Sequence, residues 1–138
     1  MKGRRQVKKN PVAHFEIYAD DIDKLARFYT SIFDWTIEFV PGTDCALVKT
    51  VETDDNGMPS QAGGINGGIF KRSSACDMKL WNNYVNVESL DATMDHAQKL
   101  GAKLMQGKLA VPGEGWYAIL TDPQGNPFAI WQADPNAK

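Results

Sequence analysis

Apolar and polar residues alternate along Val12–Ala19, near the start of the chain. The odd-numbered residues of this stretch are apolar and share one face, whereas the other face carries His14, Glu16 and Tyr18. A period of two residues predicts a β-strand that buries one face and leaves a more polar one. Those three polar side chains are therefore expected to point away from the core.

The pattern then changes to a helical period. Apolar residues recur three or four positions apart within residues 22–33, after Asp20 and Asp21, whose charges complement the dipole of a helix start. The predicted helix has one apolar stripe, made of Ile22, Leu25, Phe28, Tyr29, Ile32 and Phe33. Strands are predicted next at residues 35–40, 45–51 and 65–70, with an acidic, turn-rich loop at residues 52–61.

The same order of patterns begins again at residue 81. Residues 81–88 alternate and predict a strand whose polar face carries Asn82 and Tyr84. Residues 90–100 predict a helix, with Ser89 as its N-cap and Gly101 at its end. Further strands are predicted at Lys103–Val111 and, as a hairpin around a Pro-Gln-Gly turn, at residues 116–121 and 127–132.

The two halves also align in sequence. A shift of 68 residues places Ile22 on Leu90 and Ile17 on Val85. Such a repeat predicts an α+β fold of two β-α-β-β-β modules, whose curved, partly open sheets surround a cleft with the helices outside. The predicted order is a basic flexible N-terminal segment (1–11), the first module (12–70), a linker (71–79), the second module (80–133) and a C-terminal tail (134–138).

Composition and charge limit the function classes. Apolar residues make up 43% of the 138, enough for a core, and no apolar run reaches the ~20 residues of a membrane span. Five of the 15 basic residues precede Pro11, so the rest of the chain is more acidic than the net charge of −2, which argues against a nucleic-acid surface. Two cysteines without a C-x-x-C pair predict a reduced, cytoplasmic protein with no membrane partner.

Four stretches together resemble the vicinal oxygen chelate superfamily, which includes glyoxalase I, extradiol dioxygenases and bleomycin-resistance proteins. They are HFEIYADDIDKLARFYTSIFDW (14–35), YVNVESLDAT (84–93), LGAK (100–103) and TDPQGNPFAIW (121–131). The resemblance implies the paired-module fold and a homodimer.

The resemblance also implies where a divalent metal would bind. Enzymes of this superfamily hold the ion on four side chains, and the matching positions are His14, Asn82, Ala129 and either Asn66 or Gly68. Only the first of these is a good donor, whereas Zn, Ni or Fe sites need several imidazole, carboxylate or thiolate ligands at once. We therefore expect no metal and no other cofactor.

The candidate ligand-binding residues are His14, Glu16, Asn66, Asn82, Tyr84 and Trp131. His14 is either a ligand-facing acid or base or a hydrogen-bonded remnant of a metal site. Glu16 is either a general base or the partner of a neighbouring donor. The asparagines and Tyr84 either orient a polar ligand or are ordinary strand residues, and Trp131 either lines the cleft or belongs to the core.

Three functions remain open at this point, and no catalytic residue is assigned. The leading hypothesis is a small-molecule-binding protein, similar to the bleomycin-resistance branch, that lacks the metal. The alternative is a lyase or isomerase related to lactoylglutathione lyase that uses His14 and Glu16 as acid and base, or an atypical metal site. The third is a scaffold whose cleft is vestigial.

Overall fold

The computed structural model describes residues 9–73 and 79–138. Most of the predicted basic N-terminal segment, the centre of the predicted linker and Cys76 lie outside the described residues. The described residues form two compact units, one within Ala13–Asn83 and the other made of Tyr84–Lys138 with residues 9–12. Each unit is described separately.

The first unit is a four-stranded sheet with one helix. Its elements are β1 (Val12–Ala19), α1 (Ile22–Ile32), β2 (Thr36–Phe39), β3 (Cys45–Lys49) and β4 (Gly67–Lys71). The strand order is β2-β3-β4-β1, with β1 parallel to β4 and the other pairs antiparallel. The core lies between α1 and the sheet and consists of Phe15, Ile17, Ala19, Val48 and Ile69.

The helix α1 begins at a hydrogen-bonded cap. Asp21 accepts a hydrogen bond from the backbone N–H of Lys24 at 3.0 Å, which satisfies one of the unpaired N–H groups of the first turn. Only part of the predicted apolar stripe faces the core. Ile22, Leu25 and Tyr29 pack there, but Phe28, Ile32 and Phe33 are 56%, 54% and 46% exposed. The predicted stripe is therefore only partly buried, because an apolar sector that wide exceeds the width of one packed face.

The exposed residues of α1 belong to a larger surface. Phe28, Ile32, Phe33 and the half-exposed Trp81 form what we call the α1 apolar patch. The ring of Tyr29 joins the three aromatic members, with centroids 5.1 Å from Phe28, 6.3 Å from Phe33 and 5.9 Å from Trp81. The indole N–H of Trp81 also donates to the hydroxyl oxygen of Tyr29 at 3.3 Å. The patch is thus continuous.

Two predicted strand ends differ from the structure for one reason. Residues 45–51 were predicted as a strand, but β3 ends at Lys49, and β4 begins at Gly67 rather than at residue 65. The backbone N–H groups of Thr50 and Val51 donate to the side-chain oxygen of Asn66 at 2.7 and 3.1 Å. A side chain thus replaces the strand partner that these groups would need to extend the ladder.

The second unit has the same order of elements. It contains β5 (Trp81–Asn86), α2 (Leu90–Lys99), β6 (Lys103–Val111), β7 (Gly115–Thr121) and β8 (Pro127–Ala133). The strands lie in the order β5-β8-β7-β6, with β5 parallel to β8, and the boundary between the units falls within β5. The core between α2 and the sheet consists of Leu90, Ala118, Leu120 and Ile130. The predicted α+β class and the β-α-β-β-β order are therefore confirmed.

The predicted C-terminal tail is hydrogen-bonded to this unit. Gly113 N–H donates to the carbonyl of Ala137 at 2.9 Å, and Asp134 N–H donates to the carbonyl of Glu114 at 2.8 Å. Ala137 is buried. Among the described residues, no helix has the length and apolar character needed to cross a membrane.

Candidate functional site

Strand β1 presents three polar side chains on the face of its sheet that is free of the helix. Phe15, Ile17 and Ala19 pack beneath α1, and side chains alternate along a strand. His14, Glu16 and Tyr18 must therefore point the other way, as the sequence pattern predicts.

These three side chains form a chain of polar contacts. The hydroxyl of Tyr18 donates to Glu16 Oε1 at 3.0 Å, and Glu16 Oε2 lies 3.7 Å from His14 Nε2. The side chain of Glu16 is only 14% exposed, whereas His14 is 39% exposed. A phenol and an imidazole thus hold one carboxylate in place, with the imidazole nearer to solvent. Such a group can accept hydrogen bonds from a ligand or move a proton.

Tyr18 also lines an open depression at the carboxyl ends of β1 and β4. The depression has a volume of about 280 Å³, and Asp20, Lys24 and Arg72 contribute to its wall. The guanidinium Nε of Arg72 donates to Asp20 Oδ1 at 2.9 Å, and this hydrogen bond, reinforced by the charge of Arg72, lowers the pKa of Asp20. The depression therefore carries fixed charges of both signs.

The two candidate asparagines of this unit have different environments. The amide of Asn66 is fully engaged in the loop, because Oδ1 accepts from Thr50 N–H and Val51 N–H while Nδ2 donates to the carbonyl of Val51 at 3.3 Å. Asn82 is 1% exposed, and among the described residues neither Nδ2 nor Oδ1 has a hydrogen-bond partner. Asn66 therefore has a structural task, whereas no partner within residues 9–73 and 79–138 gives the amide of Asn82 such a task.

The helix-free face of the second unit is aromatic. The rings of Tyr84 and Tyr117 lie 6.2 Å apart, and Tyr117 stands opposite Trp131 in the β7–β8 ladder. A Cβ atom at Gly115 would lie 2.5 Å from the Trp131 ring, so this ring position needs a glycine beside it. The absence of a side chain at Gly115 therefore makes room for the Trp131 ring on this face.

Trp116 and Tyr117 are neighbours in β7, and their side chains lie on opposite faces of the sheet. Trp116 packs into the core, where its indole N–H donates to Asp134 Oδ2 at 2.9 Å, and this bond lowers the pKa of Asp134. Tyr117 lies on the helix-free face instead. The sequence did not reveal this because the parity of β7 depends on where the strand starts, and that start is Gly115.

The residues present do not fit a protein-bound metal ion. Of the positions that the resemblance assigns to metal ligands, Asn82 is buried, Ala129 is buried and has no donor, and the amide of Asn66 is engaged elsewhere. Within residues 9–73 and 79–138, no group of three His, Cys, Asp or Glu side chains could hold an ion. A single imidazole is too few ligands for Zn²⁺ or Ni²⁺.

A family model described as a glyoxalase-like domain matches residues 14–131. The chain belongs to this glyoxalase-like family. The match extends from the third residue of β1 into β8, and it confirms the resemblance to the vicinal oxygen chelate superfamily.

Curated relatives of this glyoxalase-like chain are distant. It is 22% identical over 134 residues to "Putative glyoxylase CFP32" of Mycobacterium bovis, which covers 97% of this chain and 50% of that protein. It is 27% identical over 145 residues to anthracycline biosynthesis protein DnrV of Streptomyces peucetius, covering 87% and 46%. The chain thus spans about half the length of these relatives.

Solved structures share the fold of the glyoxalase-like domain. A variant of methylmalonyl-CoA epimerase from Streptomyces coelicolor, in complex with 2-nitronate-propionyl-CoA, matches with a TM-score of 0.61 at 14% identity, covering 94% of this chain and 98% of that one. A Mn(II)-bound glyoxalase from Novosphingobium aromaticivorans matches with a TM-score of 0.55 at 17% identity, covering 90% and 38%. At this identity the likeness concerns the fold alone.

Proposed function

We propose that this chain binds a small organic molecule without the metal ion of its superfamily. The observation that carries the proposal is the set of residues at the family ligand positions, where His14 stands with asparagine and alanine instead of three further strong donors. An intact fold with polar and aromatic side chains on its helix-free faces supports a binding role.

The polar chain of Tyr18, Glu16 and His14 supports binding of a ligand that carries hydrogen-bonding groups. Its carboxylate is held at both oxygens, so little side-chain freedom is lost when a ligand binds. The depression beside Tyr18, at about 280 Å³, is close to the lower end of small-molecule site volumes.

A metal-free lyase or isomerase is the second candidate. The contact of Glu16 Oε2 with His14 Nε2 at 3.7 Å favours it, because a carboxylate beside an imidazole orients the ring for proton transfer. In this function His14 and Glu16 act as the acid and the base. The relation to lactoylglutathione lyase would then lie in the reaction class and not in a shared metal.

One set of measurements separates these functions. Purified protein is analysed for bound metal, and its thermal unfolding is recorded with Ni²⁺, Zn²⁺ or Mn²⁺ and with a small-molecule library that includes a CoA thioester and an anthracycline. We expect no stoichiometric metal and a raised midpoint with an organic compound. Stoichiometric metal that disappears in His14→Ala would contradict the metal-free proposal.

Substitution of Glu16 distinguishes the binder from the enzyme. Any compound that raises the midpoint is incubated with wild-type protein and with Glu16→Gln. Binding without turnover supports the binder, and turnover that Glu16→Gln abolishes supports the enzyme. Glu38→Gln is the control, since Glu38 is an exposed residue of β2 that pairs with Lys49.

We also propose that the chain forms a homodimer through the α1 apolar patch. Its four side chains are each about half exposed and leave on the order of 400 Å² of apolar surface, a size that marks interaction sites on many proteins. Two such patches would bury roughly 800 Å² before their rims are counted, and this area approaches that of a specific interface.

A cytoplasmic location is proposed as well, and the free thiol of Cys45 supports it.

A further inference from the structure

Asn82 is a buried amide without a visible structural purpose. The side chain is 1% exposed, and among residues 9–73 and 79–138 neither of its polar atoms has a hydrogen-bond partner. Burying an amide without replacing its bonds to water is unfavourable for folding. Such groups are rare in native proteins, and an ordered water, an ion or a functional role usually accounts for them.

Asn66 shows what a structural asparagine looks like in the same unit. Its Oδ1 accepts two backbone N–H groups and its Nδ2 donates to a backbone carbonyl, all within the loop between β3 and β4. The two residues are chemically identical and lie in the same unit. The two amides therefore differ in their hydrogen bonding, and we infer that they also differ in function.

We propose that the Asn82 amide recognises a ligand that carries a hydrogen-bond donor and an acceptor side by side, as a carboxamide, a lactam or a carboxylic acid does. This inference rests on the proposed function and names the ligand class of the binding protein. A primary amide presents an acceptor oxygen next to donor N–H groups, so it pairs with such a ligand through two parallel hydrogen bonds. Ligand binding satisfies both amide atoms at once.

Burial also gives this recognition its selectivity. A compound that lacks either the donor or the acceptor leaves one amide atom unsatisfied where bulk solvent barely reaches, and that is costly. Because the side chain is almost inaccessible, neighbouring side chains have to rotate when the ligand enters, as side chains commonly do at binding surfaces.

The first test is the stability of Asn82→Leu in the absence of ligand. Leucine has a similar size and no polar atoms, so we expect the thermal midpoint of this variant to equal or exceed that of the wild type. Asn66→Leu is the matched control and should have a clearly lower midpoint, because it removes the hydrogen bonds of Thr50 and Val51. If Asn82→Leu falls as far as Asn66→Leu, the amide is structural, for instance through ordered water, and the inference is overturned.

The second test uses a matched pair of probes, benzamide and N,N-dimethylbenzamide. Both have the carbonyl acceptor and an aromatic ring, but only benzamide has N–H donors. We expect wild-type protein to bind benzamide about tenfold more tightly, measured from ¹H–¹⁵N chemical-shift titrations that include the Asn82 side-chain signal. In Asn82→Leu, and in the smaller Asn82→Ala, this preference should disappear.

The outcomes also separate this inference from the proposed function. A preference for benzamide that survives in both Asn82 variants overturns the inference. So does a wild-type protein that binds library compounds but not benzamide at millimolar concentration, and in both cases the proposed function stands. If no organic compound binds the wild type, the proposed function fails as well.

Discussion

At the scale of single residues, one carboxylate organises the turn between β7 and β8. Asp122 Oδ1 accepts the backbone N–H groups of Gln124 at 2.8 Å and Asn126 at 2.9 Å, and the side-chain amide of Asn126 lies 3.0 Å from Oδ2. These hydrogen bonds favour the charged form. The pKa of Asp122 is therefore lowered, chiefly by the backbone N–H of Asn126.

We predict that Asp122→Asn lowers the thermal midpoint near neutral pH and that the loss is pH-dependent. A carboxyl group whose pKa is depressed by folding stabilises the protein above its unfolded pKa of about 3.9. That contribution is lost as the pH falls through the lower folded value. Midpoints measured from neutral to strongly acidic pH should thus converge for wild type and variant below about pH 4. The exposed Asp55→Asn serves as control, and a gap that stays constant with pH would contradict the prediction.

The sequence could identify candidate site residues, but it could not separate their tasks. The alternation of β1 correctly placed His14, Glu16 and Tyr18 on one face, because strand periodicity is local. Asn66 and Asn82 were indistinguishable in the sequence. Their difference lies in whether backbone N–H groups from another segment reach the amide, and only tertiary structure determines that. Whether the candidate residues share one cleft stays a prediction.

At the scale of elements, the hydrophobic period of the sequence predicts most helices and strands, but it does not predict where many of them end. Val12–Ala19 and Lys103–Val111 were predicted with the observed limits. The end of β3 was missed because a side chain, that of Asn66, competes for the backbone N–H groups beyond Lys49. Periodicity describes side-chain faces, so it cannot register such competition.

The pairing of β1 with β4 depends on the absence of a side chain at Gly67. This glycine is buried opposite Phe15 in the parallel ladder. A Cβ atom there would collide with the backbone oxygen of Phe15 and lie 2.7 Å from its ring. Neither neighbour can move freely, because Phe15 belongs to the core of the first unit.

We therefore predict that Gly67→Ala destabilises the protein by about 3 kcal/mol, the upper range for overpacking a core. Urea denaturation of the wild type and the variant measures the change in the free energy of unfolding. Gly107→Ala in β6 is the matched control, since a Cβ atom at Gly107 meets nothing within 4 Å. Equal losses in both variants would show that the collision is not the cause.

At the scale of the whole molecule, the family and the fold follow from the comparisons, whereas the function has to be inferred from the site residues. The glyoxalase-like family is shown by the match over residues 14–131, but solved structures of the same fold include an epimerase and a glyoxalase. One fold therefore carries several chemistries, and the site residues have to decide between them. Here they favour hydrogen bonding to an organic ligand over coordination of a cation.

The α1 apolar patch raises the question of what covers it. Its exposed rings are continuous through Tyr29, and the charged pair Asp23–Arg27 lies on the same helix. A second copy of the chain offers the same apolar surface and the same charged pair on its helix. A two-fold axis would place identical patches against each other, as in most homodimers.

We predict that Phe28→Glu converts a dimer into a monomer. A glutamate at the centre of the contact would be buried without a partner, which strongly opposes association. Size-exclusion chromatography with light scattering should give twice the 15.3 kDa chain mass for the wild type and the single mass for the variant. Leu100→Glu is the control, because Leu100 is also an exposed apolar residue but follows α2 in the other unit, and this variant should stay dimeric. A monomeric wild type, or a dimer that Phe28→Glu leaves intact, would show that this patch does not join two copies.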